Sequence, residues 1–121
     1  MKFMMLMIPA VYQGGKGPKP GFVPDPEKME QMGRFNQEMG KALNILDLNG
    51  LHPQATGARV SFAGGKASVT DGPFIETKEV LGGYWLVEAD SKEEVLKWIK
   101  QCPADDGDVI EIRQIFGPED F

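Results

Sequence analysis

Phe3 to Ile8 is an unbroken apolar run of strand length, the pattern of a strand covered on both faces. The next stretch, Pro9 to Pro24, carries Gly, Pro and Lys without any apolar period. It reads as a flexible loop over 9–24. Asp25-Pro26-Glu27 then opens a helix: Asp accepts an orphan N–H, Pro suits the first helical position, and Glu complements the dipole. Met29, Met32, Phe35, Met39, Leu43 and Leu46 follow at spacings of three and four, one apolar helix face, and Gly50 is the expected stop. Gly33 and Gly40 weaken this helix and let it approach a sheet closely.

Two alternating runs, Ala58 to Phe62 and Lys66 to Thr70, flank the turn Ala63-Gly64-Gly65 and predict a hairpin. A further strand is predicted at Gly83 to Glu88. Ser91-Lys92-Glu93-Glu94 is a capping box for a second helix whose inner stripe is Val95, Leu96, Ile99 and Cys102, ended by Pro103. Val109 to Phe116 alternates as a last strand, with Glu111 and Arg113 opposite Ile110 and Ile112. The order strand, helix, hairpin, strand, helix, strand predicts one α+β domain over 1–121. The arrangement is a ferredoxin-like split βαβ, two helices on one face of a mainly antiparallel sheet. Strands apolar on both sides require something over the other face as well.

Composition narrows the function classes. At 121 residues the chain suits a single domain. A net charge of −5 opposes attraction to nucleic acid and to anionic lipid surfaces. No apolar run approaches the roughly 20 residues that span a bilayer, and Met1 to Ile8 lacks the marks of a secretory leader, so a soluble cytoplasmic protein is expected. Cys102 is the sole cysteine, which rules out an intrachain disulfide and a cysteine-based metal cluster. Gly14-Gly15-Lys16-Gly17 has a Gly-Lys pair, but Ala10 and Gly17 stand where a phosphate loop needs Gly and Ser or Thr. No cofactor is expected.

The densest chemistry lies in Asp71 to Trp85, DGPFIETKEVLGGYW. Asp-Gly-Pro is a turn, because Asp bonds the backbone ahead, Gly accepts positive φ and Pro fixes its own. Glu76-Thr77-Lys78-Glu79 then crowds three charges and a hydroxyl before Gly82-Gly83, which permits a close backbone approach. Such a loop is expected to wall a small-molecule cleft. In it Asp71 is the candidate general acid or base, and Glu76, Thr77, Lys78, Tyr84 and Arg113 are candidate substrate contacts. His52, the only histidine, is a second catalytic candidate if folding brings it to a carboxylate. The bland reading has Asp71 capping the turn, Glu76 and Lys78 bonding loop backbone, and Tyr84 and Trp85 serving as core or dimer contacts. Glu76 and Glu79 alone offer only oxygen to a hard cation, so no metal site is expected.

The combined string of Asp71-Gly72-Pro73-Phe74, Glu76-Thr77-Lys78-Glu79 and Leu81-Gly82-Gly83-Tyr84 resembles the signature of the DGPF-type, YCII-related bacterial proteins. The resemblance runs from the opening strand through Gly50-Leu51 and Pro53 to the closing strand. It implies a dimeric α+β barrel in which two sheets associate face to face, and hence a homodimer. Relatives are proposed to use a His and Asp pair; Asp71 matches the acidic member. Their histidine lies on the first helix, where Met29 to Leu46 has none. Two functions stand: a small-molecule-binding protein with isomerase-like acid/base chemistry beside the 71–85 loop, or a non-catalytic interaction or regulatory module working with transcription control.

Overall fold

A computed structural model describes residues 1–13, 21, 23–72 and 80–121. Its strands and helices run β1 (Lys2–Ile8), α1 (Pro26–Ala42), β2 (Asn44–Gly50), β3 (Ala58–Ala63), β4 (Lys66–Asp71), β5 (Gly83–Glu88), α2 (Lys92–Ile99) and β6 (Val109–Gln114). Four strands form an antiparallel sheet in the order β2-β5-β1-β6. This is the order of a ferredoxin-like βαββαβ fold, with the β3–β4 hairpin inserted between its second and third strands. The expected α+β class, the antiparallel sheet and the two helices are therefore present.

One face of the sheet carries the core. Phe3 and Met5 from β1 and Trp85 and Val87 from β5 meet Phe35, Met39 and Leu43 from the first helical segment and Val95 from α2. Phe3, Met5, Met39, Val87 and Val95 are almost wholly buried, each contributing on the order of 1.5–3 kcal/mol. No described polar or charged residue is buried with them; apolar packing holds the helices on this face, and one hydrogen bond joins Trp85 on β5 to Asn36 on α1. Asp25 and Ser91 cap the two helices as read from sequence, accepting from the N–H groups of Glu27 (3.0 Å) and Glu94 (3.2 Å).

Two expectations are corrected. The apolar stripe does not carry α1 to Leu46: the helix ends at Ala42, Leu43 turns to extended backbone, and Asn44–Gly50 becomes the edge strand β2. Asn44, Asp47, Asn49 and Gly50 are poor helix formers, costing about 0.5–1 kcal/mol each. A full ladder along β5 outweighs what the continued stripe offers. Secondly, the hairpin does not join the main sheet. It forms a two-stranded sheet of its own, turned by Gly64 and Gly65 at positive φ, as a two-residue I′ loop requires. The predicted 9–24 loop is also tighter at its start, where Ala10–Tyr12 makes one 3-10 turn and Tyr12 is buried. Residues 14–20, including the Gly14-Gly15-Lys16-Gly17 run, lie outside the described residues.

β2 carries a bulge between Ile45 and Asp47. Ile45 and Leu48, three apart, would face opposite ways in a regular strand. Leu46 takes up the extra residue, so both partner core-facing positions of β5, Val87 and Trp85. Asp47 and Asn49 are thereby aimed at the outer face beside Tyr84.

Two outcomes follow. A Cβ on Gly82 would collide with the Pro9 ring, whereas one on Gly33 meets nothing within 4 Å. Gly82→Val should lower the thermal midpoint by several degrees and Gly33→Ala should raise it slightly, by about 0.5–1 kcal/mol, in parallel melts. Equal shifts would contradict this packing. Burial pushes the Cys102 thiol up to about 11, the nearby Asp108 carboxylate adding to the effect. At pH 8 only about one thiol in a thousand is ionised, so iodoacetamide should modify native Cys102 at least about 100-fold more slowly than the urea-unfolded chain. Equal alkylation rates would show the thiol to be open.

Candidate functional site

The loop that follows Asp71 returns to the sheet at Val80, at the end where β1 and β2 finish and β5 begins. Gln13 fixes that return: its side-chain oxygen accepts from Val80 N–H (2.9 Å), and its amide nitrogen donates to the carbonyls of Val80 (3.1 Å) and Pro9 (2.6 Å). Two residues on, Gly82 donates to Met7 O (2.8 Å) and accepts from Leu51 N (2.9 Å), tying all three strands together. Tyr12, buried beneath them, donates its hydroxyl to Leu51 O (3.0 Å), and burial holds its phenol above the usual range.

Two adjoining clefts open at this end and share Gly50. The first, about 150 Å3, runs between α1 and strands β2 and β5, with Met32, Asn36, Leu48, Asn49, Tyr84 and Trp85 on its walls. Gly50, Gly82 and Gly83 complete the lining. At Gly83 a Cβ would lie 2.9 Å from Asn49 O, so the close approach of β2 and β5 requires glycine. Trp85 Nε1 donates to Asn36 Oδ1 (2.8 Å), which orients the indole across from the cleft's apolar side. The second cleft, about 200 Å3, is lined by Tyr12, Pro24, Leu51, His52 and Pro53.

Tyr84 is the best-organised polar group at this end. Its hydroxyl donates to Asp47 Oδ2 (2.7 Å) and accepts from Asn49 Nδ2 (3.0 Å), while Asn49 also donates to Asp47 Oδ1 (3.2 Å). One hydroxyl lone pair remains, so the phenolic oxygen is preset to accept from an outside donor. All three side chains lie on the sheet face away from the helices.

The sequence-derived candidates separate. Tyr84 lies at the cleft. Arg113 is on the same outer face but on β6, beyond β1 and roughly 10 Å to the side by strand spacing, exposed and 3.8 Å from Glu111. Asp71 is the exposed last residue of β4, opposite Ala58 in the hairpin. His52 is exposed and lines the second cleft. No ion pair within 4.0 Å joins His52 to Asp71. Glu76, Thr77 and Lys78 lie outside the described residues, as does Glu79. Among the described residues no three His, Cys, Asp or Glu side chains gather as a metal site would need. Nor is any described helix long and apolar enough to cross a membrane.

Sequence reasoning missed Asp47, Asn49, Asn36, Tyr12 and Gln13. The alternation Leu46-Asp47-Leu48-Asn49 was a strand signal hidden by the helical stripe that overlaps it. Tyr12 and Gln13 were masked by the Gly- and Pro-rich run around them. At the loop's base, Gly72 N–H donates to Gly57 O (2.9 Å), and a Cβ there would collide with the Gln54 carbonyl. The Gln54 side-chain amide is itself buried with neither atom hydrogen-bonded, a cost of about 1–3 kcal/mol.

No curated protein matches the chain. A family model, the YCII-related domain, matches residues 1–118 of the 121, in keeping with the βαββαβ sheet, and the chain belongs to the YCII-related domain family.

Proposed function

We propose that this protein binds a small molecule at the loop end of its sheet, in the cleft between α1 and strands β2 and β5. The observation that carries this reading is the cleft itself, lined in part by three glycines and bordered by the hydrogen-bonded Asn36 and Trp85 side chains. Apolar walls from Met32, Leu48 and Trp85 receive a small carbon skeleton. The Asn36 amide, whose oxygen accepts from Trp85 Nε1, turns its N–H groups to a carbonyl or hydroxyl oxygen of the ligand. The unmet Gln54 amide nearby fits an end of the fold that trades stability for function.

Acid/base chemistry of an isomerase kind is assigned to Asp71, at the mouth of the signature loop, with Glu76, Thr77 and Lys78 as loop contacts to the ligand. Arg113 supplies a cation on the outer face for an anionic substituent, and His52 a proton-carrying group in the second cleft. The protein acts as a homodimer whose outer sheet faces meet. Half-buried Met4, Leu6 and Leu86 on a face that carries no helix support that arrangement.

A panel of small hydroxy and keto acids at millimolar concentration should contain members that raise the thermal midpoint by several degrees. Asn36→Ala should weaken such a ligand about tenfold, with the unliganded midpoint falling by a few degrees as Trp85 Nε1 loses its partner. Asp71→Asn should abolish any turnover without changing that midpoint. Wild-type binding in both variants would sink the assignment of the site.

A further inference from the structure

A groove of about 310 Å3 opens between α1 and α2, and no strand residue lines it. It shares no lining residue with either cleft at the loop end of the sheet. Its apolar surface comes from Phe35, which is buried, and from Trp98 and Pro103, which are half-buried. Phe35 belongs to the core cluster and Trp98 packs against that cluster's edge, so both rings are held in place by the fold. An indole left half open in the same groove as a fixed phenyl ring gives a flat apolar body something to pack on.

The polar rim is rich in donors and short of acceptors. Arg34 is exposed and, among the described residues, has no carboxylate within 4.0 Å. The Trp98 indole N–H and the Gln31 amide have no hydrogen-bond partner among the described residues either, whereas Trp85 donates to Asn36. The one carboxylate on the rim, Glu38, is already held 2.9 Å from Lys41 Nζ. The carbonyls where α2 ends are taken as well: Lys97 O accepts from Gln101 Nε2 (3.3 Å), Trp98 O from Gln101 N–H (2.9 Å) and Ile99 O from Cys102 N–H (3.0 Å). What the groove has left to offer is a guanidinium fork and neutral N–H groups around an apolar floor. Such a fork matches the plane of a carboxylate, and its charge-assisted bonds are the strong ones.

We infer that the groove between α1 and α2 is a small-molecule site in its own right, which takes a flat aromatic carboxylic acid, with the ring against Trp98 and Phe35 and the carboxylate on Arg34. A neutral apolar occupant would leave the Arg34 fork unused, and a cationic one would meet its charge. The chain's net charge of −5 repels anions in general, so an anion held here is held by these local donors. The site does not depend on the cleft beside β2 and β5. The two lie on different sides of one helix: Met32 and Asn36 line that cleft, while Gln31, Arg34 and Phe35 line the groove.

Naphthoate is the probe, with naphthalenemethanol as its uncharged match. Proton–nitrogen correlation spectra of the intact chain carry one indole N–H signal from each of the two tryptophans, and Trp98→Phe assigns them. Naphthoate at submillimolar concentration should move the Trp98 signal and leave that of Trp85 in place. Arg34→Gln should weaken naphthoate at least about tenfold, with the thermal midpoint unchanged because the side chain is exposed and unpaired. Arg34→Lys should keep part of the binding, and the alcohol should bind wild type no better than naphthoate binds Arg34→Gln. No movement of the Trp98 signal at millimolar naphthoate overturns the site. Movement of Trp85 alone puts the compound in the other cleft and overturns the groove, and equal binding by acid and alcohol, or by wild type and Arg34→Gln, overturns the carboxylate assignment.

Discussion

The fold and the candidate site both depend on one backbone junction. Gly82 donates to Met7 at the end of β1 and accepts from Leu51 just past β2, so two hydrogen bonds from one residue lock three strands at the point where the loop re-enters the sheet. The junction requires a residue without a Cβ, because Pro9 occupies the space where one would stand. Gln13 and the buried Tyr12 hold the same corner through Val80 and Leu51. Each such bond is worth only about 0.5–1.5 kcal/mol net, but together they fix where the loop begins and ends. The two clefts border that corner, one along Gly82 and the other along Tyr12 and Leu51.

A single inserted residue then decides what the corner can do. Had β2 run without its bulge at Leu46, Ile45 and Leu48 would have pointed to opposite faces, and one apolar side chain would have lost its place against the core. The bulge satisfies both, and its by-product is that Asp47 and Asn49 reach the Tyr84 hydroxyl. The polar network is thus a consequence of apolar packing on the other side of the same strand. This is why burial and chemistry at this edge cannot be changed independently.

The uncovered surfaces give the chain a second constraint. A two-stranded hairpin with Phe62 in water cannot be favourable on area grounds, since each exposed large apolar side chain forgoes on the order of 1.5–3 kcal/mol. The hairpin's net positive charge also sets it apart from a chain whose overall charge is −5.

Much of this was legible in the sequence, where the signal was local. The β1 run, the β5 strand, the Asp25 and Ser91 caps, the Gly64-Gly65 turn and the β6 alternation all depend on short-range sterics and hydrogen bonds, and each took the form that its residues predict. What tertiary structure alone decided was the fate of segments with two readings. Leu43 and Leu46 fit a helix stripe, but pairing with β5 made the segment a strand. The hairpin's alternation fits any sheet, and only topology set it apart from the main one. Asp71, His52 and Arg113 were named for their chemistry, yet chemistry carries no coordinates: long-range packing placed Asp71 on the hairpin, His52 in a separate cleft and Arg113 across the sheet, and gave Tyr84 partners that no spacing in the sequence announced.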